Sequence, residues 1–357
     1  MSAERIATEP TGRATRDEEL RPRLVAFEVT RRCRYGCRHC RANAGPGKNE
    51  ELAGRQCRKI IASVAKFTKC TLIITGGEPM ERPDLCDIIR YATSKGLRVV
   101  LATCGYLIDD DSMARLKDAG ASAMSFSLDG SSAETHDRYR DAAGAFDAVI
   151  KAAEVARRAG MPFQINTTIS KINAGEILGI AELAKRLGAG CFNAFVLVPT
   201  GRGKELGDAV LDPVEYESIL NELLRLKLKG EIEVRVTCAP AFSRICEQAK
   251  ARGLATQGSG CIGGTGFAFV SHQGDVQTCG FLDVSAGNLI DNGYDFAKIW
   301  LKSKFLNEIR DVSAYKGKCR DCEYVGLCGG CKARAMAILG DYLAGDPVCG
   351  YKAGSRP

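Results

Sequence analysis

Histidine is scarce in this 357-residue chain, which has only His39, His136 and His272, beside a single tryptophan. Metal sites built on imidazole therefore have little to draw on. No stretch reaches the roughly 18 uninterrupted apolar residues of a membrane span, and residues 1 to 20 lack the apolar run of a signal peptide. These absences predict a soluble, cytoplasmic protein with no membrane partner and a disordered leader over residues 1 to 21. Neither sign of charge dominates. The 50 basic and 43 acidic side chains, formally +7, are spread along the chain, a bias compatible with an anionic substrate but too mild to imply nucleic acid.

Cysteine is abundant, at seventeen. A small secreted domain would pair them as disulfides, but the length and the Cys-x-x-Cys spacings favour ligation by thiolates in a reducing compartment.

Apolar or β-branched runs recur at Leu24 to Val29, Thr71 to Thr75, Arg98 to Ala102, Ala123 to Leu128, Phe163 to Ile169 and Cys191 to Val198. Helical periodicity follows each of the first five, and another helix starts near Asp212-Pro213. Six strand units in series imply an α/β fold with a parallel sheet, an open partial barrel of six units over residues 22 to 235. Its active site belongs at the C-terminal strand ends. Residues 236 to 257 read as a linker helix. From 258 to 357 the composition turns to Gly, Cys and short strands, with a hairpin around Gln273-Gly274.

Directly after the first strand, Cys33, Cys37 and Cys40 place three thiols in eight residues. Three thiolates hold three irons of a four-iron cube and leave one open; a zinc knuckle is the plainer alternative. Gly76-Gly77-Glu78-Pro79 closes the second strand, where bare backbone and a carboxylate can meet an ammonium group. Further on, Cys319, Cys322, Cys328, Cys331 and Cys349 join Cys261 and Cys279. Seven thiols exceed one four-ligand site, so two sites are implied, of iron or of zinc. Cys57, Cys70, Cys86, Cys104, Cys191 and Cys246 read as packed thiols.

The CxxxCxxC spacing followed by Gly-Gly-Glu-Pro resembles the radical S-adenosylmethionine (SAM) superfamily. The resemblance implies a SAM-binding [4Fe-4S] cluster on Cys33, Cys37 and Cys40, with SAM contacted by Gly76, Gly77, Glu78, Pro79, Ser127, Arg140 and Asn166. His39 stands where that family has an aromatic, and Thr103-Cys104-Gly105 departs from its Thr-Asn-Gly. The C-terminal pattern resembles the SPASM extension, which implies auxiliary clusters on Cys319, Cys322, Cys328 and Cys349 and on Cys261, Cys279 and Cys331. Two residues, not three, separate Cys328 from Cys331. Cys238, outside the pattern, is either a fourth ligand of the second auxiliary site or a buried thiol.

From Pro22 to Cys349 the chain is also similar to the SAM-dependent heme synthases of the alternative heme pathway, in strings such as Cys37-Arg38-His39-Cys40-Arg41-Ala42, Leu197-Val198-Pro199-Thr200-Gly201-Arg202-Gly203 and Cys328-Gly329-Gly330-Cys331-Lys332-Ala333-Arg334-Ala335. That likeness implies Fe-coproporphyrin III as substrate, decarboxylation of two propionates to the vinyl groups of heme b, and one-electron donor and acceptor proteins as partners. Arg202, Lys204 and Arg334 are the candidate propionate cations, and His272 is either a turn residue or a contact to iron or propionate. The alternatives are a heme d1 pathway relative, a peptide maturase and a plain electron carrier.

Overall fold

The computed structural model describes residues 20–48 and 51–354. Most of the expected leader lies outside the described residues. Its end is tied down: the Trp300 indole donates to the Leu20 carbonyl at 2.6 Å, and Arg21 lies over the Phe67 ring.

Six parallel strands form the centre of the sheet: β1 (Leu24–Glu28), β2 (Thr71–Thr75), β3 (Arg98–Thr103), β4 (Ala121–Ser127), β5 (Phe163–Ile169) and β6 (Cys191–Val196). β7 (Glu233–Thr237) adds a seventh in parallel register, with Asn193 opposite Arg235. Helices cross between the strands and cover the outer face. Gly54–Phe67 shows why: Cys57, Ile60, Ile61 and Val64, at spacings of three and four, make one apolar stripe that is buried against the sheet. The inner face differs, as β5 alternates fully buried Phe163, Ile165, Thr167 and Ile169 with half-buried Gln164, Asn166 and Thr168. The core thus lies between sheet and helices, and a polar face lines the open barrel.

The region after residue 258 does not form a sheet of its own. Its hairpin, β8 (Phe267–Val270) and β9 (Asp275–Gln277), is where the Gln273-Gly274 turn predicts, but β8 pairs in parallel with β1. With β10 (Gly287–Asn288) the result is one ten-stranded sheet, β10-β9-β8-β1-β2-β3-β4-β5-β6-β7. Among the described residues, four short α-helices escaped the sequence reading, Ala133–Arg140, Phe296–Lys302, Lys304–Arg310 and Lys332–Leu339. Ala133–Arg140 is polar on most of its surface, and tertiary contacts at His136, Tyr139 and Arg140 hold it in place.

Candidate active site

The C-terminal ends of β1 to β4 deliver the predicted residues to one rim. The loop after β1 carries Cys33, Cys37 and Cys40, packed with Tyr35, Ala42, Ala44 and, unexpectedly, Cys104 from the end of β3. Cys104 is packed, as expected of it, and its neighbours are the thiols of this loop. Strand pairing brings β3 beside the loop, a relation that the 63 residues between Cys40 and Cys104 conceal. The Arg140 guanidinium reaches both Cys37 Sγ and Cys104 Sγ at 3.8 Å.

The loop after β2 explains its glycines. A Cβ on Gly76 would stand 2.4 Å from the Thr30 carbonyl oxygen, and one on Gly77 would stand 2.3 Å from that of Arg32. Only bare backbone lies this close to the cysteine loop. Gly77 N–H donates to Thr30 O at 2.9 Å and Glu78 N–H to Arg32 O at 2.7 Å. The Glu78 carboxylate turns away from a ligand role, because it is fully buried and accepts from Met80 N, Thr103 Oγ1 and Cys104 N at 2.7–3.0 Å. Burial pushes its carboxyl upward against those hydrogen bonds. Glu78 thereby braces the ends of β2 and β3.

Asp129, beyond β4, organises the opposite side. It accepts from Arg140 at 2.7 Å and from Thr168 N at 2.7 Å, and lies 3.3 Å from His39 Nε2. Burial favours the neutral acid, but Arg140 first, then His39 and His136, hold its carboxyl below the usual range. Arg140 is thus paired with Asp129 while it faces the thiols of Cys37 and Cys104. Burial drives His39 and His136 down to about 4, so both are neutral. His39 lies against Tyr139, ring centroids 4.3 Å apart. Ser127 and Asn166 are register partners on β4 and β5. Asn166 Oδ1 also accepts from Gln164 and Asn193, and Asn193 in turn accepts from Thr237, a polar ladder across the inner face.

Two of the three candidate propionate cations make hydrogen bonds inside the protein, though Arg202 Nη2 is buried without a partner among the described residues. Arg202 clamps the cysteine loop, donating to Cys37 O at 2.9 Å and Ala44 O at 2.7 Å. Arg334 is fully buried, paired with Asp346, and donates to the carbonyls of Leu197 and Cys238. Lys204 alone remains exposed. His272 is buried, with Nδ1 2.9 Å from Glu28 Oε1. Burial opposes charge on Glu28, yet Arg41 above all, with His272 and Arg31, lowers its carboxyl to about 2.

Cys319, Cys322, Cys328 and Cys349 line one cavity, together with Arg244 and Asp346. Cys331 and Cys279 belong to a second packed group that also holds Cys238. Among the described residues, no three His, Cys, Asp or Glu side chains close in tightly enough for a single ion. This second group adjoins the first site. Arg41, next to Cys40, lies over the Phe269 ring and against Gly280, next to Cys279.

Comparison with known proteins decides the lineage. Residues 27–184 match the radical SAM superfamily profile, and 261–323 match SPASM, an iron-sulfur cluster-binding domain. The AdoMet-dependent heme synthase of Methanosarcina barkeri is 43% identical, over 94% of this chain and 98% of that protein. The chain belongs to the radical SAM superfamily. It is a radical SAM enzyme with a SPASM region, and its cofactors are [4Fe-4S] clusters and SAM. The AdoMet-dependent heme synthase of Oleidesulfovibrio alaskensis is 40% identical over 94% of this chain and 89% of that protein. The fold is that of Streptococcus suis SuiB bound to S-adenosylmethionine, with a TM-score of 0.73, 16% identity and 93% and 78% of the two chains covered. No described helix is long and apolar enough to cross a membrane.

Proposed function

We propose that this radical SAM enzyme converts two propionates of Fe-coproporphyrin III to vinyl groups in the cytoplasm, giving heme b, with small redox proteins as electron donor and acceptor. The observation that carries the reading is the near full-length similarity to AdoMet-dependent heme synthases.

In this reading Cys33, Cys37 and Cys40 hold the SAM-binding cluster, and the backbone of Gly76 and Gly77 meets the SAM ammonium. When bound, cluster and SAM supply a carbon radical able to take hydrogen from an unactivated carbon. Ser127 and Asn166 offer polar groups on the inner face, and Pro79 opens the short turn that aims Glu78 at β3. Arg140 offsets negative charge at Cys37, and Asp129 keeps it there. Cys319, Cys322, Cys328 and Cys349 hold one auxiliary cluster; Cys261, Cys279 and Cys331 serve another at the barrel rim.

Each propionate carboxylate loses a β-hydrogen atom, CO2 and one electron as a C–C bond breaks and a C=C bond forms. A thiol site beside the rim suits that surplus electron. Lys204 is the remaining candidate cation for a propionate.

Reduced protein, SAM and Fe-coproporphyrin III should give two successive mass losses, each of CO2 and two hydrogens. SAM cleavage without that product would redirect the substrate to a heme d1 pathway porphyrin or a peptide. A Cys33→Ala, Cys37→Ala, Cys40→Ala variant should form no 5'-deoxyadenosine.

A further inference from the structure

Cys238 follows β7 directly, as Cys104 follows β3, so it stands at the same, C-terminal end of the parallel strands. It is half-buried and packs in one group with Cys279 and Cys331. Its main chain is bolted to theirs: Cys331 N–H donates to Asp346 Oδ2 at 3.1 Å, Asp346 pairs with Arg334, and Arg334 Nη1 donates to Cys238 O at 3.0 Å. Cys261 joins from the other side. A Cβ on Gly263 would stand 3.4 Å from Cys261 Sγ and 3.2 Å from the carbonyl oxygen of Thr278, which precedes Cys279. Cys238 also has φ of 58°, a left-handed backbone that non-glycine residues rarely adopt.

We infer that Cys238 is the fourth ligand of the second auxiliary cluster, whose irons are therefore all held by protein thiolates. On ligation Cys238 Sγ gives its proton to solvent and forms one Fe–S bond. The site then has no open iron for a porphyrin carboxylate and exchanges electrons without binding substrate. This rests on the assignment of Cys261, Cys279 and Cys331 to that cluster, and not on the identity of the substrate.

The test uses full-length protein carrying Cys33→Ala, Cys37→Ala and Cys40→Ala, which leaves only the auxiliary clusters, purified anaerobically and reduced. Cyanide labelled with carbon-13 is the probe, read by electron paramagnetic resonance with iron and sulfide analysis. The expected result is no carbon-13 coupling until Cys238→Ala is added, which then either shows that coupling or loses about one iron per chain. Cyanide binding with Cys238 intact overturns the inference, as does an unchanged spectrum and iron count in the Cys238→Ala variant. Cys331→Ala is the control. If it too changes nothing, the cluster assignment fails along with the inference.

Discussion

Arg334 and Asp346 meet through two charge-assisted hydrogen bonds, Nη2 to Oδ2 at 2.7 Å and Nε to Oδ1 at 2.9 Å, with both side chains sealed from solvent. The pair stands between the two auxiliary thiol groups, since Asp346 lines the cavity of one and accepts from Cys331 of the other. Breaking such a pair leaves an uncompensated buried charge. Arg334→Met should therefore lower unfolding free energy by about 3 to 5 kcal/mol, read from the denaturant midpoint of anaerobic protein. Adding Asp346→Leu should recover much of the loss; no recovery would mean that the pair acts through packing alone.

Arg202 offers a sharper separation of roles. As a clamp on the carbonyls of Cys37 and Ala44, it matters before any porphyrin arrives. Arg202→Met should cost about 1 to 3 kcal/mol per orphaned carbonyl, loosen the first cluster and slow SAM cleavage in the absence of porphyrin. A variant with intact cleavage and only a raised KM for porphyrin would return Arg202 to the substrate.

Glu78 is predicted to act on SAM at one remove. Glu78→Gln puts an amide donor where Thr103 and Cys104 both donate, so the ends of β2 and β3 should part slightly. Equilibrium binding should show SAM affinity falling about tenfold, equivalent to about 1.4 kcal/mol, with the iron content unchanged. Loss of the cluster itself would contradict this division of labour.

Acid should destabilise the fold through two of its three histidines. Burial holds His39 and His136 at about 4, and the unfolded chain binds those protons near 6.5. The folded state keeps its full advantage above about 6.5 and loses it as pH falls toward 4, by up to about 3 kcal/mol per imidazole. Denaturant midpoints between pH 7 and pH 5.5 should fall, and His136→Gln should make the slope shallower. An identical slope in that variant would place the acid sensitivity elsewhere.

Much of the strand-helix series was legible because apolar period and turn residues are local signals. β2 and β5 have the predicted bounds, and Asp212 caps the helix Pro213–Lys229 as its Asp-Pro start implies. Helix Ala133–Arg140 was not legible, since its apolar stripe is too weak to stand out from its charges. The surroundings of Arg202 and Arg334 were not legible because an exposed and a buried guanidinium look alike in sequence, and only the placement of carbonyls and Asp346 distinguishes them.

The sequence by itself determined the chemistry: cysteine spacings over a few residues set how thiolates can ligate, and a loop of eight residues needs no distant partner to declare itself. Only the tertiary structure decided which distant cysteines keep company, drawing Cys104 to the first loop and Cys238 to Cys331. It also merged the C-terminal hairpin into the barrel sheet through β1 and β8. The physical reason is that strand order is not written locally. Parallel pairing between segments more than two hundred residues apart is settled by backbone hydrogen bonds and burial, which no short run of residues records.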